Sequence, residues 1–587
     1  MSSRLQRVLW RIAASVLIGL TLVGSVASGA NARSAQTGGA RHGAWTISGA
    51  PIRGAVKAGE VNLATLAPAS AAQVQAAASG RRPPASRTPA QQAAYRQWAV
   101  AHPTALPQAM GLAVSATGPN TYGNGALPVL TSAHAGLDST NGGVSFGTPD
   151  PSLAAAPGYI VQATDNLLVV YNTSYGLKYG PWTPAQLFAS VMLPNDKTFS
   201  SPSIAFDAER AIYLIAWTED DVNAINGTGV IDVAISKTSS PSPLSNFLVY
   251  QLPFPNGNGC FSPALGYDYW GLYVSCLEYD NITFAFLGNA TFALSLGKLL
   301  AGAAQGALYN NVPTAVGCST TCAPAFVLSP TIEDGVPQAE WITATDQGEL
   351  PQGGTSNNLT LCALTNTHGL ASGVPPVFSC GFNALPTSYG DLMSAAQPGT
   401  TALLASGVGY MQVAYRNGQL SLAMTSAMSC SGSTRSGVVW AVVTPQLSTL
   451  AAHNPQQVNS LAPAYTQAGY WCHTNADILE PSLIAGTEGD VALVYGVSSS
   501  TIYPSLAYTG RTAADAPNTL GQGGSWAWVI QGSAASGNFF WGLYTSCGLV
   551  TNLVTRGLVR CVSQYGGPHT SLGGSGWDTE LYALRME

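Results

Sequence analysis

The sequence contains few charged residues. Of its 587 residues only 9% are charged, five are lysines, and the formal net charge is −6 at pH 7. Because no basic stripe is present to replace phosphate counterions, we expect no nucleic-acid partner. Few ionisable groups also limit self-repulsion when carboxylates become protonated, so an acidic habitat is a hypothesis.

Sequence patterns of common metal and nucleotide sites are missing. The seven histidines form no His-x-x-x-His pair, which argues against a zinc protease, and no Gly-Lys-Ser/Thr phosphate loop occurs. We therefore expect no cofactor, with calcium at the acidic run Glu219-Asp220-Asp221 as the one candidate. The alternative is that this run is a solvated loop at the end of a strand.

A long apolar run occurs only near the start, at residues 12–24. Three arginines precede it and small residues follow it, which is the pattern of a secretory signal peptide. We expect a signal peptide over residues 1–32 and no membrane span after its cleavage. An uncleaved anchor is the alternative, but the run is shorter than the about 20 residues that cross a bilayer.

Ten cysteines, an even number, agree with an oxidising compartment and with a secreted or cell-surface protein. Neighbour pairing is favoured if residues close in sequence share one sheet. Taken in order, the cysteines pair as Cys260 with Cys276, Cys318 with Cys322, Cys362 with Cys380, Cys430 with Cys472, and Cys547 with Cys561. A metal or redox site at Cys318 and Cys322 is the alternative, without a second pair or a nearby His to support it.

A short phrase recurs four times: a small or acidic residue, Pro, Ser or Ala, and Leu or Ile. The copies begin at Asp150, Ser201, Ser262 and Glu480. Each is followed by a turn and an apolar run rich in β-formers, which predicts a repeated β-hairpin. Looser copies lie at Pro324, at Pro398 and near Trp541.

Repeats built from strands and turns are typical of a β-propeller, in which each blade is a small sheet that cannot bury both faces alone. We therefore predict an all-β propeller over residues 136–587, with six to eight blades and seven as the preferred number. Stacked β-sandwich domains are the alternative, since the spacing between copies is unequal.

The stretch 33–135 differs from the rest in its Ala, Gln, Pro and Arg content and in having few β-runs. We predict a low-complexity leader or removable pro-segment, disordered or weakly helical. Its one helical candidate is Pro89–Ala101.

From about residue 140 to 585 the chain resembles a group of exported, largely uncharacterised bacterial β-propeller proteins of sialidase-like shape. The segments that carry the resemblance are 166–171, 263–266, 271–275, 494–500, 503–505 and 508–511. The resemblance implies the fold and little about function. Relatives tend to read Arg-Trp-Gly-Asp-Tyr where this chain has Phe540-Trp541-Gly542-Leu543-Tyr544, so both charged residues of that cluster are gone.

Catalytic chemistry is hard to place by spacing. A sialidase needs an arginine two residues before the Pro of its first blade phrase, and Pro149, Ser200, Phe261 or Leu479 stands there instead. A glycosidase needs two carboxylates across a pocket. The candidates are Asp207, Glu219, Asp220, Asp221, Glu278, Glu333, Asp334 and Glu340.

The function predicted from the sequence is that of a secreted propeller that binds a ligand or glycan at the cell exterior, with no assured catalysis. A glycan or another cell-surface component is the expected partner. A glycoside hydrolase or sialidase-like enzyme on the same scaffold is the alternative. Candidate ligand-binding residues are Asp207, Glu219, Arg416, Arg511 and Trp541.

Overall fold

The computed structural model describes most of the chain from residue 45 onward. The described residues are 45–47, 49–52, 56–70, 72–73, 89–109, 127–139, 149–193, 197–221, 228–237, 246–254, 258–280, 285–312, 328–334, 338–347, 350, 353–404, 412–449, 458–486, 489–521, 524–537, 541, 545–549, 557–570 and 576–586. Every structural statement below refers to these residues. The predicted signal peptide lies outside them.

Strands dominate the described residues, and helices are short. The stretch before residue 140 holds strands β1 (Trp45–Ile47), β2 (Ala50–Pro51), β3 (Lys57–Val61) and β4 (Val129–Asp138), with helix α1 (Pro89–Ala101) between β3 and β4. The predicted helix is therefore confirmed at both of its bounds. Turns of 3-10 helix occur at Leu63–Thr65, Pro103–Ala105 and Thr367–Ser372.

Five sheets are separate antiparallel units. The first contains β5 (Ser152–Ala156), β6 (Tyr159–Ala163), β7 (Leu168–Asn172) and β8 (Leu177–Trp182), followed by helix α2 (Pro184–Leu187). The second contains β9 (Lys197–Asp207), β10 (Ile212–Asp221), β11 (Thr228–Ser236) and β12 (Phe247–Pro253), with β3 beside β12.

A ten-stranded sheet and a further five-stranded sheet occupy the middle of the chain. The ten-stranded sheet starts with β13 (Gly259–Tyr267), β14 (Gly271–Tyr279), β15 (Phe286–Ser295) and, after helix α3 (Leu296–Leu300), β16 (Gly306–Asn310). The five-stranded sheet contains β17 (Ser329–Pro330), β19 (Glu340–Thr345), β20 (Thr355–Thr365) and β21 (Val377–Gly390), with β1 beside β21. Strand β18 (Ile332–Asp334) pairs in parallel with β13 and with β22 (Gln412–Arg416).

Strand β22 starts the second half of the ten-stranded sheet, which continues through β23 (Gln419–Cys430), β24 (Ser433–Thr449) and β25 (Val458–Trp471). Two separate sheets follow in the chain. One contains β26 (Asp477–Ala485), β27 (Val491–Ser499), β28 (Ile502–Arg511) and β29 (Ala527–Ile530). The other contains β30 (Ser546–Leu549), β31 (Leu558–Tyr565) and β32 (Asp578–Arg585), with β4 beside β32.

The sheets are arranged as a β-propeller, and five of its blades are separate sheets. The first strands of successive units contact one another in chain order, and β30 at the end contacts β5 at the beginning. Strand β4 closes the ring, because it precedes β5 in sequence but pairs with the last strand, β32. The propeller therefore includes Val129–Asp138, which begins ahead of the boundary expected at residue 136.

The leader contributes strands to the outer edges of three sheets. Strand β1 pairs with β21, β2 with β16, and β3 with β12. Helix α1 is anchored by Arg96, whose guanidinium donates to Asp477 at 3.0 Å and to the carbonyl of Ser394. These parts of the leader thus belong to the folded body, although no β-run in the sequence predicts the three strands.

The core consists of apolar clusters between neighbouring sheets. Leu214 of β10 and Val274 of β14 belong to one cluster. Val169 of β7 and Leu581 of β32 belong to another, which lies between the first and the last sheet of the propeller. All nine residues of β14 are buried. Because sheets cover both faces of such a strand, its sequence is mostly apolar and does not alternate between apolar and polar residues.

At three of its four strict copies the repeated phrase forms a bulge in the first strand of its unit. Its first residue has a positive φ in every strict copy: 44° at Asp150, 53° at Ser201, 52° at Ser262 and 44° at Glu480. The pairing register shifts at three of these sites, between Ala216 and Thr218 opposite Ser201, after Phe261 and after Leu479. L-residues pay about 1–2 kcal/mol for this backbone conformation, so the phrase records a backbone requirement of the fold.

Four of the five predicted disulfides form. They join Cys260 to Cys276, Cys362 to Cys380, Cys430 to Cys472, and Cys547 to Cys561. The Cys318–Cys322 prediction falls outside the described residues. Each observed bond links strands of one sheet or its adjoining loop, as neighbour pairing predicts.

Among the helices that the structure describes, none is long and apolar enough to cross a bilayer.

Substitution of Ser262 tests the backbone requirement. We expect Ser262→Gly to raise the free energy of unfolding by up to about 1 kcal/mol, because relief of positive-φ strain outweighs the greater entropy of an unfolded glycine. Ser262→Ala keeps the Cβ atom and is the control. Urea unfolding measures both, and a loss of stability above about 1 kcal/mol in the glycine variant would contradict the strain.

Removal of single disulfides should cost stability according to loop length. The Cys430–Cys472 bond spans 42 residues and the Cys547–Cys561 bond spans 14. Loop-closure entropy predicts losses of about 4 and about 3 kcal/mol for the paired Cys→Ala variants. Denaturant unfolding under oxidising conditions measures the difference, and the two variants should converge with the wild type after reduction.

Candidate functional site

A pocket lies at the centre of the ring of first strands. Most of its lining comes from β5, β9, β13, β18, β22, β26 and β30, and its volume is about 1000 Å³ including the part open to solvent. We call it the axial pocket. It exists because the first strands, each in contact with the next, surround the axis and leave a space along it.

The wall of the axial pocket is mostly apolar and built from small side chains. Alanines from four different strands line it: Ala154 and Ala155 of β5, Ala205 of β9, Ala414 of β22 and Ala485 of β26. Small residues leave open space where strands crowd toward an axis. Leu153, Ile204, Ile332, Val413 and Leu483 complete the apolar surface.

Polar side chains gather where the first strands end. Asp207 is the last residue of β9, Asp268 follows β13, and Arg416 ends β22, and all three line the pocket. Strands β13, β18 and β22 run parallel, so their carboxyl ends meet on one side. The pocket therefore has an apolar wall and one polar end.

Asp207 holds the hairpin turn between β9 and β10. Its carboxylate accepts the backbone N–H groups of Glu209 at 2.9 Å and Arg210 at 3.0 Å, and pairs with the Arg210 guanidinium at 2.9 Å. Arg210 also donates to the carbonyl of Tyr269 and lies over that ring, 4.4 Å from its centroid. Asp207 is only 1% exposed. A ligand in the pocket would therefore contact this ion pair mainly through the side chain of Arg210.

Asp268 holds the corresponding turn of the next unit. Its Oδ1 atom accepts the backbone N–H groups of Trp270 at 2.7 Å and Gly271 at 2.6 Å. A Cβ atom at Gly271 would lie 2.4 Å from the Tyr273 hydroxyl oxygen, so only glycine fits there. Burial raises the pKa of Asp268, against the lowering effect of these hydrogen bonds.

Two glutamates form a hydrogen-bonded pair beside the pocket. Glu333 lines the pocket and Glu340 does not, and their side chains are hydrogen-bonded to each other. Glu333 accepts the Thr331 hydroxyl at 3.0 Å and the Trp341 N–H at 3.3 Å, while Glu340 accepts the Thr331 N–H at 2.9 Å. Two carboxyl groups bond to each other only when one carries a proton.

Burial raises the pKa of both glutamates well above the ordinary value, repulsion from Asp268 adds to both shifts, and repulsion from Glu333 adds to that of Glu340. Tyr273 and Tyr415 also face this cluster, and their own pKa values are raised, first by burial. The hydrogen bond between the two glutamates lowers the pKa of Glu333 and raises that of Glu340, so the shared proton lies with Glu340, which does not line the pocket.

The structure brings together two of the five predicted ligand-binding residues. Asp207 and Arg416 line the axial pocket, whereas the lining does not include the other three. Glu219 is buried, and its carboxylate accepts the Leu193 N–H at 3.1 Å and the Gln251 amide at 3.0 Å.

The remaining two candidates, Arg511 and Trp541, are buried and contact residues away from the axial pocket. Arg511 is 4% exposed, and its guanidinium donates to the Asp515 carbonyl at 2.7 Å. Trp541 is 2% exposed and packs in an apolar cluster with Ala395, Leu404 and Leu479. Their part in ligand binding stays a prediction.

The acidic run lies at the end of β10. Asp220 accepts the Tyr279 hydroxyl at 2.9 Å, and burial raises its pKa to about 7. The side chain of Asp221 lies outside the described residues, and no group of three or more potential metal-ligating side chains occurs within them. Calcium at Glu219, Asp220 and Asp221 therefore stays a prediction.

Sequence reasoning missed Asp268, Tyr269 and Tyr415. A signal for Asp268 exists, because an aspartate directly after an apolar strand and three residues before Gly271 is typical of a side-chain-held turn. Nothing comparable marks Tyr415, whose place at the pocket depends on the position of β22 in the ring.

Comparison with known proteins gives a weak likeness in structure alone. No protein-family model matches the chain, and no curated protein is similar in sequence. Among solved structures, a phage phi92 endosialidase is 8% identical, with 79% of this chain and 69% of that chain covered at a TM-score of 0.33. A Hadza microbial sialidase is 9% identical, with 75% of each chain covered at 0.31.

A Bacillus subtilis arabinanase is 12% identical, with 65% of this chain and 97% of that chain covered at a TM-score of 0.24. Sequence identities of 8–12% and TM-scores of 0.24–0.33 support no conclusion about activity. The propeller assignment rests on the strand pairing described above.

The glutamate pair should make stability depend on pH. A carboxyl group with a raised pKa in the folded state holds its proton longer there than in the unfolded chain, so stability is full below about pH 4.5 and falls as pH rises. We expect Glu340→Gln to flatten this fall and to be more stable than the wild type at pH 7.5.

Urea unfolding at pH 4.5, 6.0 and 7.5 measures the effect, with the exposed Glu209→Gln as a matched removal of charge. Equal slopes for the wild type and Glu340→Gln would contradict a shared proton in the pair.

Proposed function

We propose that the protein is an exported β-propeller that binds a carbohydrate in its axial pocket. The observation that supports this most is the composition of the pocket: small apolar side chains along the wall and Arg210, Tyr269, Tyr415 and Arg416 at one end. Pockets for small molecules are largely apolar with a few well-placed polar groups. A sugar ring fits this division, since its C–H faces pack on apolar walls while its hydroxyls bond to polar side chains.

Export is the proposed context of this binding. It is supported by the four disulfides, which persist in oxidising compartments. The signal-peptide pattern of residues 1–32 agrees with it. A glycan or other component at the cell exterior is then the partner that this protein would meet.

Seven is our proposed number of blades. The ten-stranded sheet divides at β18 into two four-stranded meanders, β13–β16 and β22–β25, each of which resembles one of the five separate sheets. On this reading each blade contributes its first strand, or the adjoining β18, to the pocket wall.

Filling the pocket tests carbohydrate binding. We expect Ala414→Phe to abolish binding to an array of neutral and sialylated oligosaccharides, because the larger ring occupies the space between the first strands. Leu177→Phe, at a side chain that is 59% exposed, is the control for an added ring. Circular dichroism checks that both variants fold, and array binding that survives in folded Ala414→Phe would contradict the assignment of the pocket.

Glycoside hydrolysis is the second candidate function. It is favoured by two carboxyl groups in different surroundings at one pocket: Glu333, whose pKa is raised by burial beside Glu340, and Asp207, which is ion-paired with Arg210. Such a difference between carboxyl groups is the basis of acid and base roles in glycosidases. Glu333→Gln should abolish hydrolysis of a bound oligosaccharide and leave its binding intact, as product analysis and calorimetry would show. Wild-type protein that binds without hydrolysis leaves only the binding function.

A further inference from the structure

Two exposed aromatic side chains stand next to each other at the turn between β13 and β14. Tyr269 is 40% exposed and Trp270 is 41% exposed, and their ring centroids lie 4.8 Å apart with planes at 79°. The exposed ring of His368 lies 6.2 Å from Trp270 at 66°. We call these three residues the aromatic platform. Large exposed apolar groups that cluster rather than scatter indicate a binding surface.

The platform is held in place by its own backbone. Asp268 accepts the N–H groups of Trp270 and Gly271, and the carbonyl of Trp270 accepts the Leu296 N–H at 3.0 Å. The Arg210 guanidinium lies over Tyr269 and fixes that ring from the side of β9. A surface fixed before binding loses little conformational entropy when a ligand arrives.

The platform is continuous with the axial pocket. Tyr269 lines the pocket together with Asp268 and Arg210, while Trp270 is the next residue and does not line it. A ligand that leaves the polar end of the pocket past Tyr269 therefore meets Trp270 next. The sequence predicts a turn here, through Asp268 and Gly271.

We infer that the aromatic platform is a second carbohydrate subsite, which binds the sugar unit next to the one in the axial pocket. This rests on the proposed function, because it takes the pocket to hold the first unit. The amphipathic rings of Tyr and Trp offer flat apolar surface beside polar groups, which suits the face of a sugar ring. Three rings are too small a surface for a stable protein partner, which covers about 800 Å² on each side.

The platform thus makes the protein selective for chains of two or more sugars over single sugars. The test uses calorimetry on the full chain with a tetrasaccharide chosen from the array and with its monosaccharide. We expect Trp270→Ala to weaken tetrasaccharide binding by about threefold to tenfold, the contribution of one aromatic contact, and to leave monosaccharide binding unchanged. Trp270→Phe should keep most of the affinity.

Tyr503→Ala is the matched control, since Tyr503 is 36% exposed and does not line the pocket. Unchanged tetrasaccharide affinity in Trp270→Ala overturns the subsite and leaves the pocket assignment standing. An equal loss for the monosaccharide also overturns it, because the platform would then act on the pocket itself. If wild-type protein binds no sugar but self-associates through Trp270 in sedimentation, the proposed function and the subsite both fail.

Discussion

Closure of the ring is the constraint on which the rest of the structure depends. Strand Val129–Asp138 comes before the first blade but completes the last one, beside Asp578–Arg585, so the two ends of the chain are joined by a ladder of backbone hydrogen bonds. The apolar cluster of Val169 and Leu581 seals the same joint. An open ring would leave sheet edges and faces exposed, and it would have no enclosed axis. The axial pocket is therefore a consequence of closure.

The residues that repeat along the chain stabilise this architecture. The polar and aromatic groups available to a ligand lie at other positions. The Pro phrase sets a positive φ and a bulge in the first strand, and Asp207 and Asp268 each hold the turn that follows. The groups that offer chemistry to the pocket are instead specific to single blades. Glu333 with its partner Glu340, Arg416 and the exposed Tyr269–Trp270 pair each come from one place in the ring.

Local features were predictable from the sequence, and features that depend on the ring were not. The Pro phrase, helix Pro89–Ala101 and four cysteine pairs each involve residues close in the chain, so pattern and spacing suffice for them. Strands β1–β3 are two to five residues long and show no period, and only the free edges of β21, β16 and β12 make them strands. The sequence names Asp207 and Arg416 as candidate ligand-binding residues, but their meeting in one pocket requires β9 and β22 to converge on the axis.

The central claim is that the closed ring presents its axis as a carbohydrate-binding site. A crystal structure of the full chain with the oligosaccharide that binds best tests it most directly. The account predicts one sugar unit between the first strands, near Tyr415 and Arg416, and the next against Trp270. Sugar density at the outer sheet edges or between blades, with an empty axial pocket, would contradict it.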